Sequence, residues 1–244
     1  MGEYSTWMYI VHSYTRGRLT YETDRLAAIQ GLANEFKKSR EDEYIMGLWT
    51  GDLPQALLWH RDDQYLERTQ ALATFPSWSW ASVTGHVFDP PVLDDGSMPL
   101  GAYVGIADGG RRLIVKGLGI TGQTAELPDD QVTTTADYIF PYLANPTDAT
   151  IFGQDGEHLG WAVYDEKFHH HGDTVHCPCL FRGRGGNARQ DHFYGLLLKK
   201  LDNHTAYDST SSSPVVSIYK RLGIFAFQIG AWVNKMEEEL VWIV

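Results

Sequence analysis

His169-His170-His171 followed by His176-Cys177-Pro178-Cys179 is the sharpest candidate for metal chemistry in the chain. Imidazole nitrogens and thiolates suit zinc, and a turn at Gly172-Asp173 would bring the two groups together. The spacing is not that of an established finger. Cys177 and Cys179 are separated by Pro178 alone, whereas the usual chelate loop is Cys-x-x-Cys. The competing reading is a polar loop entering a strand with two half-buried thiols, and no metal, cofactor or catalytic residue is assigned on this pattern. Gly183-Arg184-Gly185-Gly186, flanked by Arg182 and Arg189, could offer amide and guanidinium donors to an anion. It lacks the Lys-Ser/Thr ending of a phosphate-binding loop, so a surface turn is expected. No Gly-x-Ser-x-Gly elbow occurs, and no Ser, His and Asp trio is singled out by spacing. Asp24 with Arg25, and likewise Arg16 and Arg221, are expected to organise local structure, because a buried guanidinium satisfies several carbonyls or a carboxylate at once.

The elements that must position these residues fall into two kinds. Up to about residue 72 the pattern is helical. Ser5 can cap a helix carrying Trp7, Ile10, Val11 and Tyr14 on one face, and Thr23 can cap another carrying Leu26, Ile29, Ala33 and Phe36. Pro54 suits the first turn of a third helix that turns Leu57 and Leu58 inward. From residue 73 to 244 the period shortens to that of strands. Trp78 and Trp80 alternate with Ser77, Ser79 and Ala81, so an extended strand would present both indoles on one face. Further strands are expected at Tyr103–Ile106, Arg112–Val115, Leu118–Gly122, Leu159–Tyr164, Phe193–Leu198, Val215–Tyr219 and Ile224–Ile229. Asp208–Pro214 reads as a loop, and Ala231–Glu239 as a closing helix before a last strand to Val244. The predicted fold is α+β, with short N-terminal helices packed on a large, mainly antiparallel β sandwich or distorted barrel. The two parts form either a helical segment and a β-rich body or one continuous domain.

A formal net charge of -11 and a pI near 5.3 argue against a surface that neutralises phosphates, so neither nucleic acid nor anionic membrane is expected as a partner. Cys177 and Cys179 are too close in sequence to staple a secreted fold, and the chain start lacks the apolar run of a signal peptide. A cytoplasmic location is therefore expected. The 8 Trp, 13 Tyr and 10 Phe suit strand packing and line binding surfaces equally well.

Several islands then occur in a fixed order: Trp7 with Ile10-Val11, Tyr14 with Arg16 and Leu19-Thr20, Asp24 to Ile29 with Gly31-Leu32-Ala33, Tyr44 with Gly47-Leu48-Trp49, and Leu57-Leu58-Trp59. Pro76-Ser77-Trp78-Ser79-Trp80-Ala81-Ser82 completes the series. Together they resemble the region downstream of the conserved core in fungal heterokaryon-incompatibility (HET-domain) proteins. Gly195 to Leu198 and Tyr219-Lys220-Arg221-Leu222-Gly223 are similar to a weaker pattern further on. The resemblance implies a role in fungal non-self recognition and incompatibility cell death, with effector activity in an upstream HET core and a non-enzymatic accessory or regulatory role here. The partner would be another protein or a linked HET core. The alternative is a β-rich ligand-binding module, with carbohydrate among the ligands its aromatic side chains would fit. The two differ at Trp49, Trp78 and Trp80, which are buried in a scaffold and line a cleft in a ligand-binding module.

Overall fold

A computed structural model describes residues 3–61, 65–88, 98–126, 148–167, 172–184, 191–206 and 216–244. Two α-helices, α1 (Glu3–Thr15) and α2 (Arg25–Lys37), open the chain. Helix α1 buries Trp7, Met8 and Val11, and α2 buries Ile29 and Ala33, with Tyr14, Leu26 and Phe36 packed at the margin of the same core. These are the stripes expected from a 3.6-residue period. Helix α2 begins at Arg25, after a 3-10 turn over Glu22–Asp24, rather than directly after Thr23. The helix expected after Pro54 contracts to a 3-10 turn, Gln55–Leu58, which still buries Ala56, Leu57 and Leu58 before the chain extends at Trp59.

Short pairs follow: β1 (Tyr44–Ile45) with β2 (Leu48–Trp49), and β3 (His60–Arg61) with β4 (Val87–Phe88). The remaining nine strands make one sheet. They are β5 (Met98–Pro99), β6 (Tyr103–Ala107), β7 (Arg112–Ala125), β8 (Ala149–Gly153), β9 (His158–Tyr164), β10 (Thr174–Arg184), β11 (Asp191–Ala206), β12 (Val216–Gln228) and β13 (Glu237–Ile243). Their order is β13-β7-β8-β9-β12-β11-β10-β5, with β6 beside β7. Strand β10 pairs back onto the second half of β7, from Thr174↔Gln123 to Pro178↔Gly119, and this closes a distorted barrel. Strand β13 runs antiparallel to the first half of β7 and parallel to the start of β12 at Ile218↔Trp242. All other pairings are antiparallel.

Both faces of this sheet are covered, which explains its long apolar runs. Alternation sends Phe193, Leu197, Phe225, Phe227, Ala162 and Tyr164 into one cluster to which all the barrel strands contribute, the barrel interior. The intervening Tyr194, Leu196, Ile224, Ala226, Trp161 and Val163 face outward, yet they are buried too, because α1, α2 and the tryptophan-rich segments lie over them. The architecture is α+β, with N-terminal helices packed on a mainly antiparallel distorted barrel.

Three local expectations need correction. Trp78 and Trp80 do not lie on a strand: Trp80–Ser82 is a 3-10 turn whose preceding Ser79 accepts a bond from the Ala81 amide. Local hydroxyl-to-backbone bonding wins over extended pairing there. The residues read as a closing helix split into a 3-10 turn, Ala231–Lys235, and the first residues of β13, so the Glu237–Glu239 run is strand edge. Finally, Arg112–Val115 and Leu118–Gly122 are one strand, as are the segments on either side of Leu222-Gly223, because Gly117 and Gly223 continue the ladder. The loop at Asp208–Pro214 lies outside the described residues.

Candidate functional site

The Pro-Ser-Trp-Ser-Trp-Ala-Ser segment sits where the N-terminal layer meets the barrel. Trp78 is 1 % exposed, and Trp80 and Trp49 are 0 % exposed. One carbonyl, that of Gly47, accepts both the Trp7 indole N–H (3.0 Å) and the Trp80 indole N–H (2.9 Å). Gly47 holds φ at +92°, and a Cβ there would stand 2.7 Å from Trp80 Cε2, so glycine is required on two counts. The Trp59 indole donates to the Trp78 carbonyl at 2.9 Å, and Ser79 Oγ donates to the Met46 carbonyl at 2.6 Å. The Trp80, Trp59 and Ser79 bonds join the segment to the N-terminal layer, and the Trp7 bond shares the Gly47 acceptor with Trp80.

Its other side is tied to the barrel through charge. Arg221 on β12 is 0 % exposed. Its Nε and Nη2 donate to the two Asp165 carboxylate oxygens at 2.9 and 3.0 Å, its Nη1 and Nη2 also reach the Leu57 and Trp59 carbonyls, and its guanidinium lies 3.5 Å from the Trp59 ring centre. Burial pushes the Arg221 guanidinium down from its ordinary range, and the Asp165 carboxylate opposes that. The Arg221 amide donates to Ser77 Oγ at 3.0 Å, while Ser77 donates from both its amide and its hydroxyl to the Val244 carbonyl. Arg68 completes the network: Nη2 reaches Asp165 at 3.0 Å and the Ser77 carbonyl at 3.2 Å, Nη1 donates to Ser82 Oγ, and Nε lies 2.8 Å from Glu166. The arrangement is the bidentate kind that fixes geometry as well as charge.

Arg68 also opens this network to solvent, into a groove of about 1110 Å³. Its lining holds four cationic side chains, Arg68, Arg111, Arg112 and Lys220, and one acidic one, Asp108. Leu72, Phe75 and Pro76 supply an apolar wall, and Thr69, Thr74 and Ser77 supply hydroxyls. Arg111 is exposed and makes no ion pair among the described residues. Arg112 lies 3.0 Å from Asp108, and Lys220 lies 3.4 Å from Glu166. The Asp108-Gly109-Gly110 turn holds positive φ throughout, and a Cβ on Gly110 would stand 2.6 Å from Ile45 Cγ2. The turn that delivers Arg111 and Arg112 is therefore packed directly on the N-terminal β1–β2 pair.

The groups first considered for metal and anion chemistry fall elsewhere. His169, His170 and His171 lie outside the described residues, as do Gly185, Gly186 and Arg189. Cys177 and Cys179 point into the barrel interior, where burial raises both thiols, and Cys179 Sγ lies 3.7 Å from Met236 Sδ. They are fully buried rather than half-buried. His176, one residue earlier, faces the opposite way and reaches Glu239 Oε2 at 2.7 Å, so alternation along β10 separates it from both thiols. A second recess of about 340 Å³ collects Asp155, Glu157, Glu237 and Glu239 around Lys235, whose ammonium lies 2.9 Å from Glu157. No group of three or more His, Cys, Asp or Glu among the described residues could hold a metal ion. Arg182 pairs with Asp191 at 2.9 Å, Arg16 is exposed, and Arg25 is buried with its guanidinium 5.6 Å from the Trp80 ring centre.

Of the groove cations, sequence reading singled out none for chemistry. Lys220 entered only as a member of the Tyr219 to Gly223 pattern and Arg112 only as a strand start. The available signal was the dibasic Arg111-Arg112 after an Asp-Gly-Gly turn, which is conspicuous in a chain of net charge -11. Comparison of the chain with protein-family models, curated proteins and solved structures returns no match. Among the described residues no helix is long and apolar enough to cross a membrane.

Proposed function

We propose that this chain is a non-enzymatic accessory or regulatory region of a HET-domain protein, acting in fungal non-self recognition and incompatibility cell death. It binds a protein partner or restrains a linked HET core in the cytoplasm. The observation that carries this reading is the burial of Trp49, Trp78 and Trp80, which supports a scaffold over an aromatic ligand platform. Those side chains hold the N-terminal layer on the barrel, and the groove of about 1110 Å³ lies beside them with a cationic and hydroxyl lining. A carbohydrate site would be expected to present stacked aromatic faces, and neither Trp49, Trp78 nor Trp80 lines that recess.

The test is a fusion and capture experiment. The chain is fused to a HET core whose toxicity is measured in a fungal host, and is used separately as bait for fungal proteins. A regulatory region changes the toxicity of the fused core or retains a specific partner. Unchanged toxicity together with no specific capture sinks the reading.

A further inference from the structure

We infer that the groove between Arg68, Arg111, Arg112 and Lys220 is a docking site for an extended acidic peptide segment of a protein partner. This rests on the reading of the chain as a partner-binding module and gives that partner a chemistry. Three observations converge.

The first is charge. The charged lining side chains are four cations to one acid, in a chain whose formal net charge is -11. The acids behind it are already engaged: Asp165 holds Arg221 and Arg68, Glu166 lies between Arg68 and Lys220, and Glu22 accepts from Thr69 at 2.6 Å. Arg111 has no ion-pair partner among the described residues, and the Arg112–Asp108 and Lys220–Glu166 pairs are part-exposed, the kind that an incoming carboxylate displaces at little cost.

The second is shape. At about 1110 Å³ the groove exceeds the roughly 300–1,000 Å³ of small-molecule pockets. Leu72, Phe75 and Pro76 offer apolar contact beside the cations, which suits a strand of alternating acidic and apolar side chains.

The third is the origin of the donors. Arg68 follows β3, Arg111 ends the Asp108–Gly110 turn, Arg112 opens β7, and Lys220 lies on β12. One common kind of phosphate site gathers backbone amides from a glycine-rich loop or helix start, whereas side-chain cations from separate elements suit acidic motifs of a peptide. Here the Ser77 amide and hydroxyl are both committed to Val244. What the groove offers is guanidinium and ammonium groups distributed along its walls, matched to carboxylates spaced along a chain. Arg68 is pre-set by Asp165 and Ser82, and the packed turn at Gly110 fixes the backbone from which Arg111 projects, so part of the ordering is done before binding.

The experiment is fluorescence anisotropy with a fluorescein-labelled Glu-Leu-Glu-Leu-Glu peptide, titrated with the full chain at low and physiological salt. Lys-Leu-Lys-Leu-Lys is the charge-reversed control, and inorganic phosphate and ATP are competitors. Expected are saturable binding of the acidic peptide alone, weakening with salt, and a loss of roughly tenfold or more in R111E and again in K220E. Both positions are solvent-accessible, and unchanged thermal melts verify that the variants remain folded. K38E, which makes the charge change of K220E at the exposed residue that follows α2, leaves affinity unchanged. Absence of saturable binding, equal weakening by K38E, or displacement of the peptide by micromolar phosphate or ATP overturns the proposal. The two readings separate cleanly. A fused core that is regulated without peptide binding removes only the acidic-segment inference, whereas peptide binding with no regulation and no captured partner leaves the groove and removes the proposed function.

Discussion

Arg221 carries more structural consequence than any other single side chain. Its guanidinium ties β12 to two other stretches, at Leu57 with Trp59 and at Asp165, from a fully buried position. Replacing it with Met leaves the Leu57 and Trp59 carbonyls without these donors and strips Asp165 of its bidentate partner. Loss of one member of a buried pair costs about 3–5 kcal/mol, and R221M should lose that much by urea denaturation. A loss under about 1 kcal/mol would mean that Arg68 alone suffices for Asp165. His60 makes a different prediction. Burial holds its imidazole down to about 4; a hydrogen bond with the Leu58 backbone opposes that shift, and the Arg221 charge adds to it. An unfolded histidine titrates near 6.5, so below that pH the unfolded chain takes up a proton that the folded chain refuses. Stability from this residue is whole above pH 6.5 and drains away as pH falls toward 4, by about 2 kcal/mol at pH 5. Denaturation curves of wild type and H60F at pH 7 and pH 5 should differ in their pH dependence by that amount. The structural role of Arg221 was legible in the sequence because an arginine amid apolar residues needs several acceptors. The partner set was not, since Asp165, Ser77 and Leu57 come together only through the closed sheet.

Strands were the more legible elements, and their interruptions the less legible. Alternating apolar residues locate β7, β9, β11 and β12, whereas β10 (Thr174–Arg184) is hidden by its His, Cys and Pro residues and β8 by its shortness, and glycine reads as punctuation at two places where it lets the ladder continue. At Gly223 a Cβ would run into the Val163 carbonyl and stand 2.9 Å from Tyr164 Cα on the neighbouring strand. A glycine that breaks a strand and one that admits a close crossing look alike without the partner strand. G223A should therefore pry β12 from β9 and cost roughly 3 kcal/mol or more, against about 1 kcal/mol for a strand glycine with open space. Circular dichroism melts distinguish the two. The tryptophan segment failed in the opposite sense. Its alternation mimics a strand, but Ser79 caps a 3-10 turn, and the indoles are buried by Gly47, Tyr14 and Trp59 rather than by strand pairing. The groove was illegible for a related reason, because Arg68, the Arg111-Arg112 pair and Lys220 are far apart in sequence and meet only at the junction of layer and barrel.

At the scale of the whole molecule, the outer face of the barrel is buried only because the N-terminal layer covers it. Trp7, Trp49, Trp59, Trp78 and Trp80 share one cluster with Leu196, Ile224 and Ile243. Arg61 adds a second tether, donating to the Tyr164 carbonyl at 2.9 Å and pairing with Asp148 at 2.6 Å. Layer and barrel should consequently unfold together. Tryptophan fluorescence and far-ultraviolet circular dichroism should trace superimposable urea transitions, and two separated midpoints would show that the layer can leave alone.

The direction in which Cys177 and Cys179 point gives the molecule an internal clock for the opening of the barrel itself. Both thiols are enclosed by the barrel, and burial keeps them protonated and therefore poor nucleophiles. A maleimide or disulfide reagent added to the native chain can reach them only after a barrel seam parts, so its rate of reaction counts openings rather than encounters. Peeling of the N-terminal layer would leave that rate unchanged, whereas R221M should quicken it only to the extent that the barrel opens with the layer.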